Sequence, residues 1–172
     1  MKILLTVPHC VRKDGGFCTS RDNCDSKAIA MANVLQQTLP WPTTVILGSV
    51  NRLELDLNRI ESRNHTFRNQ IRNQITADTL VIDVHSFPPE EQWGRETWQQ
   101  AIVLLDKDPH NVMQNVNLFN IGPVLEGINN DIMDECLQSG TRCFLLEVNE
   151  SSSIEQLRQI ATRVKNVLQL LQ

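Results

Sequence analysis

Apolar runs of β type alternate with helical ones along this chain. Lys2 to Val7 is a continuous Ile/Leu-rich run, as expected of a strand buried on both faces. Asp25 to Leu39 has helical period, with Ala28, Ala32, Leu35 and Leu39 on one stripe, and Pro40-Trp41-Pro42 stops it. Thr43 to Leu47 predicts a second strand ended by Gly48. Asn64 to Ala77 predicts a polar helix with a narrow stripe of Phe67, Ile71 and Ile75. Thr79 to Val84 and Ala101 to Leu105 predict a third and a fourth strand. A helix over Asn130 to Gln138 closes at Gly140, a natural residue just past a helix end, and Arg142 to Leu146 is a fifth strand. The last helix opens with Ser152 and Glu155 in capping-box spacing, and Ile154, Leu157, Ala161, Val164, Leu168 and Leu171 form its apolar stripe.

The order β-α-β-α-β-β-α-β-α predicts an α/β fold: a mostly parallel or mixed sheet covered by helices on both faces. No internal repeat or low-complexity linker interrupts it, so residues 1–172 read as one domain.

In such sheets ligands bind beyond the carboxyl ends of the strands. The first strand runs out at Val7-Pro8-His9, the third at Asp83-Val84-His85 and the fifth at Leu146-Glu147. Two imidazoles and a carboxylate thus face one edge. Two histidines and an acid form an open three-ligand zinc site, and the same donors suit ferrous iron, which is placed second. The acidic ligand is Asp25 or Asp22. Asp25 is preferred because the first helix anchors it, although helix capping is the competing role for a carboxylate there. Asp83, two residues before His85 on the same side of the strand, is placed to orient that imidazole. Glu147 is the expected general base. Without a metal, His9 and His85 would be a hydrogen-bonded pair and Glu147 half of a salt bridge.

Asn51 to Arg59 alternates leucine with polar residues, the pattern of a half-exposed strand. Asn58 and Arg59 are the expected grip on a substrate carboxylate, with Asp56 holding an arginine in place. Arg52, Arg59, Arg63, Arg68 and Arg72 cluster in sequence and suggest a local anion site.

Val7-Pro8-His9, Asp56-Leu57-Asn58-Arg59, Asp83-Val84-His85-Ser86 and Leu146-Glu147-Val148-Asn149 occur in an order that resembles the N-formylglutamate amidohydrolase-like family, within the wider zinc-carboxypeptidase-like (phosphorylase/hydrolase-like) superfamily. The resemblance implies a three-layer α/β/α sandwich and a zinc ion held by His9, His85 and an acid. It also implies cleavage of an amide bond in an N-acyl amino acid or peptide-like substrate with a free carboxylate, with Asn58 and Arg59 as clamp and Glu147 as base. The chain departs from the family where Cys10-Val11-Arg12 replace the glycine usual after the first histidine. It lacks the HxxE pair of true carboxypeptidases, and it is shorter than many relatives. A non-catalytic metal- or ligand-binding member of the same fold is the alternative.

Composition narrows the partners. A net charge of −4 gives no basic face for nucleic acid, and no apolar run is long enough to span a bilayer. The opening apolar run is too short for a signal peptide, so the mature chain is expected to start near Met1. Five cysteines, odd in number and without a CxxC, suggest a reducing, cytoplasmic setting. Cys10, Cys18 and Cys24 beside His9 raise two lesser options, a structural zinc site and a Cys10 nucleophile with His85 as base. His65 and His110 are expected at the surface, and Trp93 and Trp98 in a lid or packed against the sheet.

Overall fold

The computed structural model describes residues 1–19, 24–88, 101–104, 119, 121, 124–125 and 129–171. Among these, six strands form one mixed sheet in the order β2-β1-β3-β6-β4-β5. The strands are β1 (Lys2–Val7), β2 (Thr43–Leu47), β3 (Thr79–Phe87), β4 (Ala101–Leu104), β5 (Val124–Leu125) and β6 (Arg142–Asn149). Strands β2, β1, β3 and β6 are parallel neighbours, β4 pairs antiparallel with β6, and β5 runs parallel to β4.

Among the described residues, four α-helices cover the sheet: α1 (Ala28–Thr38), α2 (Thr66–Gln74), α3 (Asp131–Gln138) and α4 (Ile154–Leu170). Alternation along the strands divides the core between the two faces. Ile3, Leu5, Ile82 and Leu146 pack with Met31 and Leu35 of α1 and Leu157 and Val164 of α4. Leu4, Val81 and Leu145 pack with Phe67 and Ile71 of α2 and Ile132 and Met133 of α3. The three-layer α/β/α sandwich expected from the sequence is therefore present.

Several boundaries differ from the sequence reading, each for a local reason. β3 runs on to Phe87 because His85, Ser86 and Phe87 stay in register with Glu147, Val148 and Asn149 of an equally extended β6. The two-residue β5 is too short to leave a periodic signal. Helix α1 begins at Ala28 rather than Asp25, and the two residues before it are held from outside: Ser26 N donates to Glu150 Oε1 and Lys27 N to Ser86 Oγ. The capping box of α4 is Ser153 with Gln156, one residue later than expected, since Ser152 is buried and Asn149 O accepts its N–H. The leucine alternation from Leu53 to Leu57 is not a strand. Asn51 Oδ1 accepts Leu53 N and Asn51 O accepts Glu54 N and Leu55 N, which folds the segment into turns with Leu57 buried and Leu53 63% exposed.

The arginine cluster sorts into two groups. Arg63, Arg68 and Arg72 do not form an anion site, because acidic residues of α3 engage all three. Arg63 binds Asp131 through two parallel hydrogen bonds of 2.9 and 2.6 Å, and Arg72 donates to Glu135 at 2.6 Å. Arg68, 0% exposed, bridges Asp131 Oδ2 (3.0 Å), the Asp131 carbonyl (3.0 Å) and Glu135. This network fastens α2 to α3. Arg52 and Arg59 lie elsewhere, beside the strand ends.

Gly48 closes β2 where two backbones nearly touch. A Cβ there would lie 2.2 Å from Pro8 O, while Gly48 N donates to Val7 O at 2.8 Å. Gly48→Ala is therefore expected to push the Pro8-His9 turn out of place and to cost about 1–3 kcal/mol in urea unfolding. Arg68→Ala removes the fully buried cation that joins Asp131 to Glu135 and leaves a cavity in its place, and the same measurement should show a loss of about 3–5 kcal/mol; an effect below 1 kcal/mol, about the value of an exposed pair, would contradict the account of this network.

Candidate metal centre

The site is built on one face of the sheet at the carboxyl ends of β1, β3 and β6. Thr6 is in register with Asp83, and His85 with Glu147, so these side chains share the face that α2 and α3 cover. His9 follows β1 by two residues, held by the Gly48 contact. Asp25 comes from the loop before α1 and is tied to His9 by a backbone hydrogen bond, Asp25 N to His9 O, of 2.8 Å. It caps no helix side chain-wise, since the residue preceding α1 is Lys27.

Both histidines turn the same way. His9 Nε2 is 2.7 Å from Asp56 Oδ1, and His85 Nε2 is 3.0 Å from Asp83 Oδ2. With Nε2–H donating to the carboxylate, each ring directs its Nδ1 inward. His9 Nδ1 then lies 3.5 Å and His85 Nδ1 2.8 Å from Asp25 Oδ2. The rings stand edge to face with centroids 4.8 Å apart. Neither Nδ1–Oδ2 contact has the alignment of a hydrogen bond: His9 Nδ1 and Asp25 Oδ2 are buried polar atoms without a hydrogen-bond partner. Among the described residues, His9, Asp25 and His85 form a buried group whose ligand atoms lie within 4.8 Å of one another.

Electrostatics point in the same direction. Burial works against the charged form of Asp25, yet the adjoining imidazoles hold its pKa well below the carboxylate range. Burial likewise disfavours a charged Asp56, and His9 beside it outweighs that. Burial alone would lower His85, but Asp83 and Asp25 raise it well above the ordinary histidine value. Such a cluster of carboxylates around two imidazoles stabilises a cation in its centre.

Asp83 is the hub. Its oxygens accept Thr6 Oγ1 at 2.6 Å and Asn130 Nδ2 at 2.7 Å, and they lie 3.3 Å from Asn58 Nδ2. Asn130 and Thr6 had no signal in the sequence, since each is bland until the fold brings it across the sheet. Asn58 is not a substrate clamp. It is 3% exposed, its amide nitrogen lies against Asp83 and 3.2 Å from His85 Nε2, and its Oδ1 accepts Ile132 N. Asp56 orients His9 and also ion-pairs with both arginines, at 3.7 Å to Arg59 Nε and 4.0 Å to Arg52 Nη2.

Arg59 donates through Nη1 to the carbonyls of Asn58 (3.0 Å) and Asn129 (2.7 Å), with the rest of its half-exposed guanidinium at the mouth of the site. Arg52, also half-exposed, stands 3.8 Å from Asp25 Oδ1. Glu147 is half-buried on β6 beside His85.

The other sequence candidates fall outside this centre. Cys18 and Cys24 are joined in a disulfide, so neither is a thiolate ligand and the cysteine argument for a reducing compartment lapses. The Cys10 thiol donates to Gly48 O, and burial pushes its pKa up to about 11, which removes it as a nucleophile. His65 is partly buried and caps α2 by accepting Phe67 N. Asp22, Trp93, Trp98 and His110 lie outside the described residues. No described helix is long and apolar enough to cross a membrane.

No protein-family model matches the chain, and no curated protein matches its sequence. Solved structures do match. Gene product Atu2144 from Agrobacterium tumefaciens has a TM-score of 0.74 at 16% identity, over 99% of this chain and 90% of that one. The CwlD amidase from Clostridioides difficile, solved in complex with the GerS lipoprotein, gives 0.62 at 13% identity, over 99% and 97%. The catalytic domain of the CD27L endolysin targeting Clostridia difficile gives 0.55 at 17% identity, over 98% and 97%. Identities this low carry the fold alone, and these structures do not confirm the narrower resemblance to N-formylglutamate amidohydrolases. The chain has a layered α/β fold shared with an amidase and with an endolysin catalytic domain.

Proposed function

We propose that this protein is a metal-dependent amidohydrolase in which His9, Asp25 and His85 hold a zinc ion. The observation that carries the reading is the convergence of two inward Nδ1 atoms and Asp25 Oδ2 in one buried spot, where His9 Nδ1 and Asp25 Oδ2 lack an aligned hydrogen-bond partner. Two histidines and one carboxylate are the donor set of open catalytic zinc sites, and ferrous iron is the second choice. Zinc bound there would supply a Lewis acid that polarises a carbonyl oxygen and makes water nucleophilic near neutral pH.

The chain's own residues would do the rest. Asp56 and Asp83 hold the two imidazoles in the tautomer that directs Nδ1 inward. Glu147, half-open to solvent next to His85, takes the proton from the attacking water and delivers it to the leaving amine. Arg59, and with it Arg52, binds a carboxylate on the substrate at the mouth of the site. The substrate is a small N-acyl amino acid or peptide-like amide with a free carboxylate. One structural neighbour, CwlD, is an amidase, which is the same reaction class.

Zinc added to metal-free protein is expected to bind with one-to-one stoichiometry by calorimetry and to raise the thermal midpoint; at one hundred times Kd the gain is about 2.7 kcal/mol. His9→Ala and His85→Ala should each abolish this binding, and retention by both would place the metal elsewhere. Glu147→Gln should keep zinc while turnover of N-acyl amino acids falls by about 10²–10⁴. Unchanged turnover in that variant would remove Glu147 from the chemistry.

A further inference from the structure

The loop joining His9 to Asp25 is closed by a covalent bond that the proposed chemistry does not use. After His9 the chain doubles back as a short hairpin: Val11 bridges Phe17, Arg12 N donates to Gly16 O at 2.8 Å, and Cys18 N donates to Cys10 O at 2.9 Å. Cys18 and Cys24, both buried, are then linked by a disulfide with Cα atoms 5.9 Å apart. The next residue is Asp25.

Among the described residues, Asp25 Oδ2 meets only the two imidazole Nδ1 atoms, at 2.8 and 3.5 Å, so the position of the carboxylate relative to them is set by the backbone that carries it. On one side its N–H is anchored to His9 O and its predecessor to Cys18. On the other, its carbonyl accepts Ala28 N at 3.2 Å at the head of α1. That helix has no side-chain cap of its own at Lys27, and the N–H groups of Ser26 and Lys27 just before it donate to Glu150 and Ser86. The disulfide is therefore the strongest constraint on the approach of the chain to Asp25. Cross-linking so short a loop removes backbone states that would carry the carboxylate out of position.

We propose that Cys18–Cys24 is a positioning clasp for Asp25, so that its reduction weakens metal binding at His9, Asp25 and His85. This rests on the metal-site reading above. A cellular dithiol would drive the reduction: its two sulfurs become a disulfide, and two electrons and two protons pass to Cys18 and Cys24 as the Sγ–Sγ bond breaks. In the test a phosphine takes that place, oxidised to phosphine oxide with oxygen from water while two thiols form.

Zinc affinity of the metal-free protein is measured by competition with a chromophoric chelator. Phosphine-reduced protein is expected to bind zinc about ten-fold or more weakly than oxidised protein, the size of effect seen when support around a ligand is lost. Cys18→Ser with Cys24→Ser should show the reduced affinity with or without phosphine. Circular dichroism confirms that each form is folded; if the double variant is not, the wild-type protein reduced in place carries the test. Action through Asp25 has its own readout: in Asp25→Asn, reduction should change the affinity by less than about two-fold, because the coupled partner is gone. Equal or tighter binding after reduction overturns the clasp while leaving the metal site intact. Equal weakening in wild type and Asp25→Asn overturns it as well, since loosening would then be general. Absence of zinc binding in the oxidised protein instead sinks the metal-site reading, and the clasp with it.

Discussion

Asp83 is a carboxylate with no access to solvent in the parallel part of the sheet, and the geometry of the site follows from how it is satisfied. An unpartnered charge at that depth would cost several kcal/mol. Thr6 from β1, Asn58 from the turn region, Asn130 from the start of α3 and His85 from its own strand converge on it. Each partner is tied down in turn. Asn130 Oδ1 caps α3 through Met133 N, and Asn58 O accepts Asp131 N. Beneath them, Arg68 joins Leu57 O, Asp131 and Glu135. Moving any of these segments would strand a buried polar group, so the imidazole of His85 sits on a rigid platform.

The second histidine has the same chemistry with a looser support. His9 also rests on a carboxylate through Nε2, but Asp56 is partly open to water and has Arg52 and Arg59 nearby. Among the described residues, the carboxylate behind His85 is fully buried, whereas the one behind His9 is partly exposed. Between them, His9 Nδ1 and Asp25 Oδ2 are buried without an aligned hydrogen-bond partner. Polar atoms are rarely left this way in an interior unless an ion or another charged group belongs among them.

The shared architecture with an amidase and an endolysin catalytic domain at 13% and 17% identity shows how little sequence the layered sandwich requires. Core positions accept many apolar residues of about the right volume. Activity is carried instead by a handful of polar side chains on that frame, which is why the proposal here depends on the His9, Asp25, His85 and Glu147 geometry rather than on the superposition.

By itself the sequence determined the layers and the edge at which the chemistry gathers. Period-two and helical runs report local burial, and local burial is enough to place β1, β3, β6 and the histidines that follow or end them. It also placed Asp25 near a helix start, although not at the cap. Tertiary structure alone decided which polar groups meet. Asp56 reaches His9 across 47 residues, Asn130 reaches Asp83 across 47 and Thr6 reaches it across 77. Those encounters are set by strand order and register, which no local pattern encodes. The same reason explains Asn58, whose neighbour Arg59 suggested a clamp until the sheet drew its amide inward. It also explains the cysteines, whose spacing looked scattered until the hairpin after His9 brought Cys18 against Cys24. The two histidines were legible because strand ends are local features; their supports were not, because each support is a contact between distant segments.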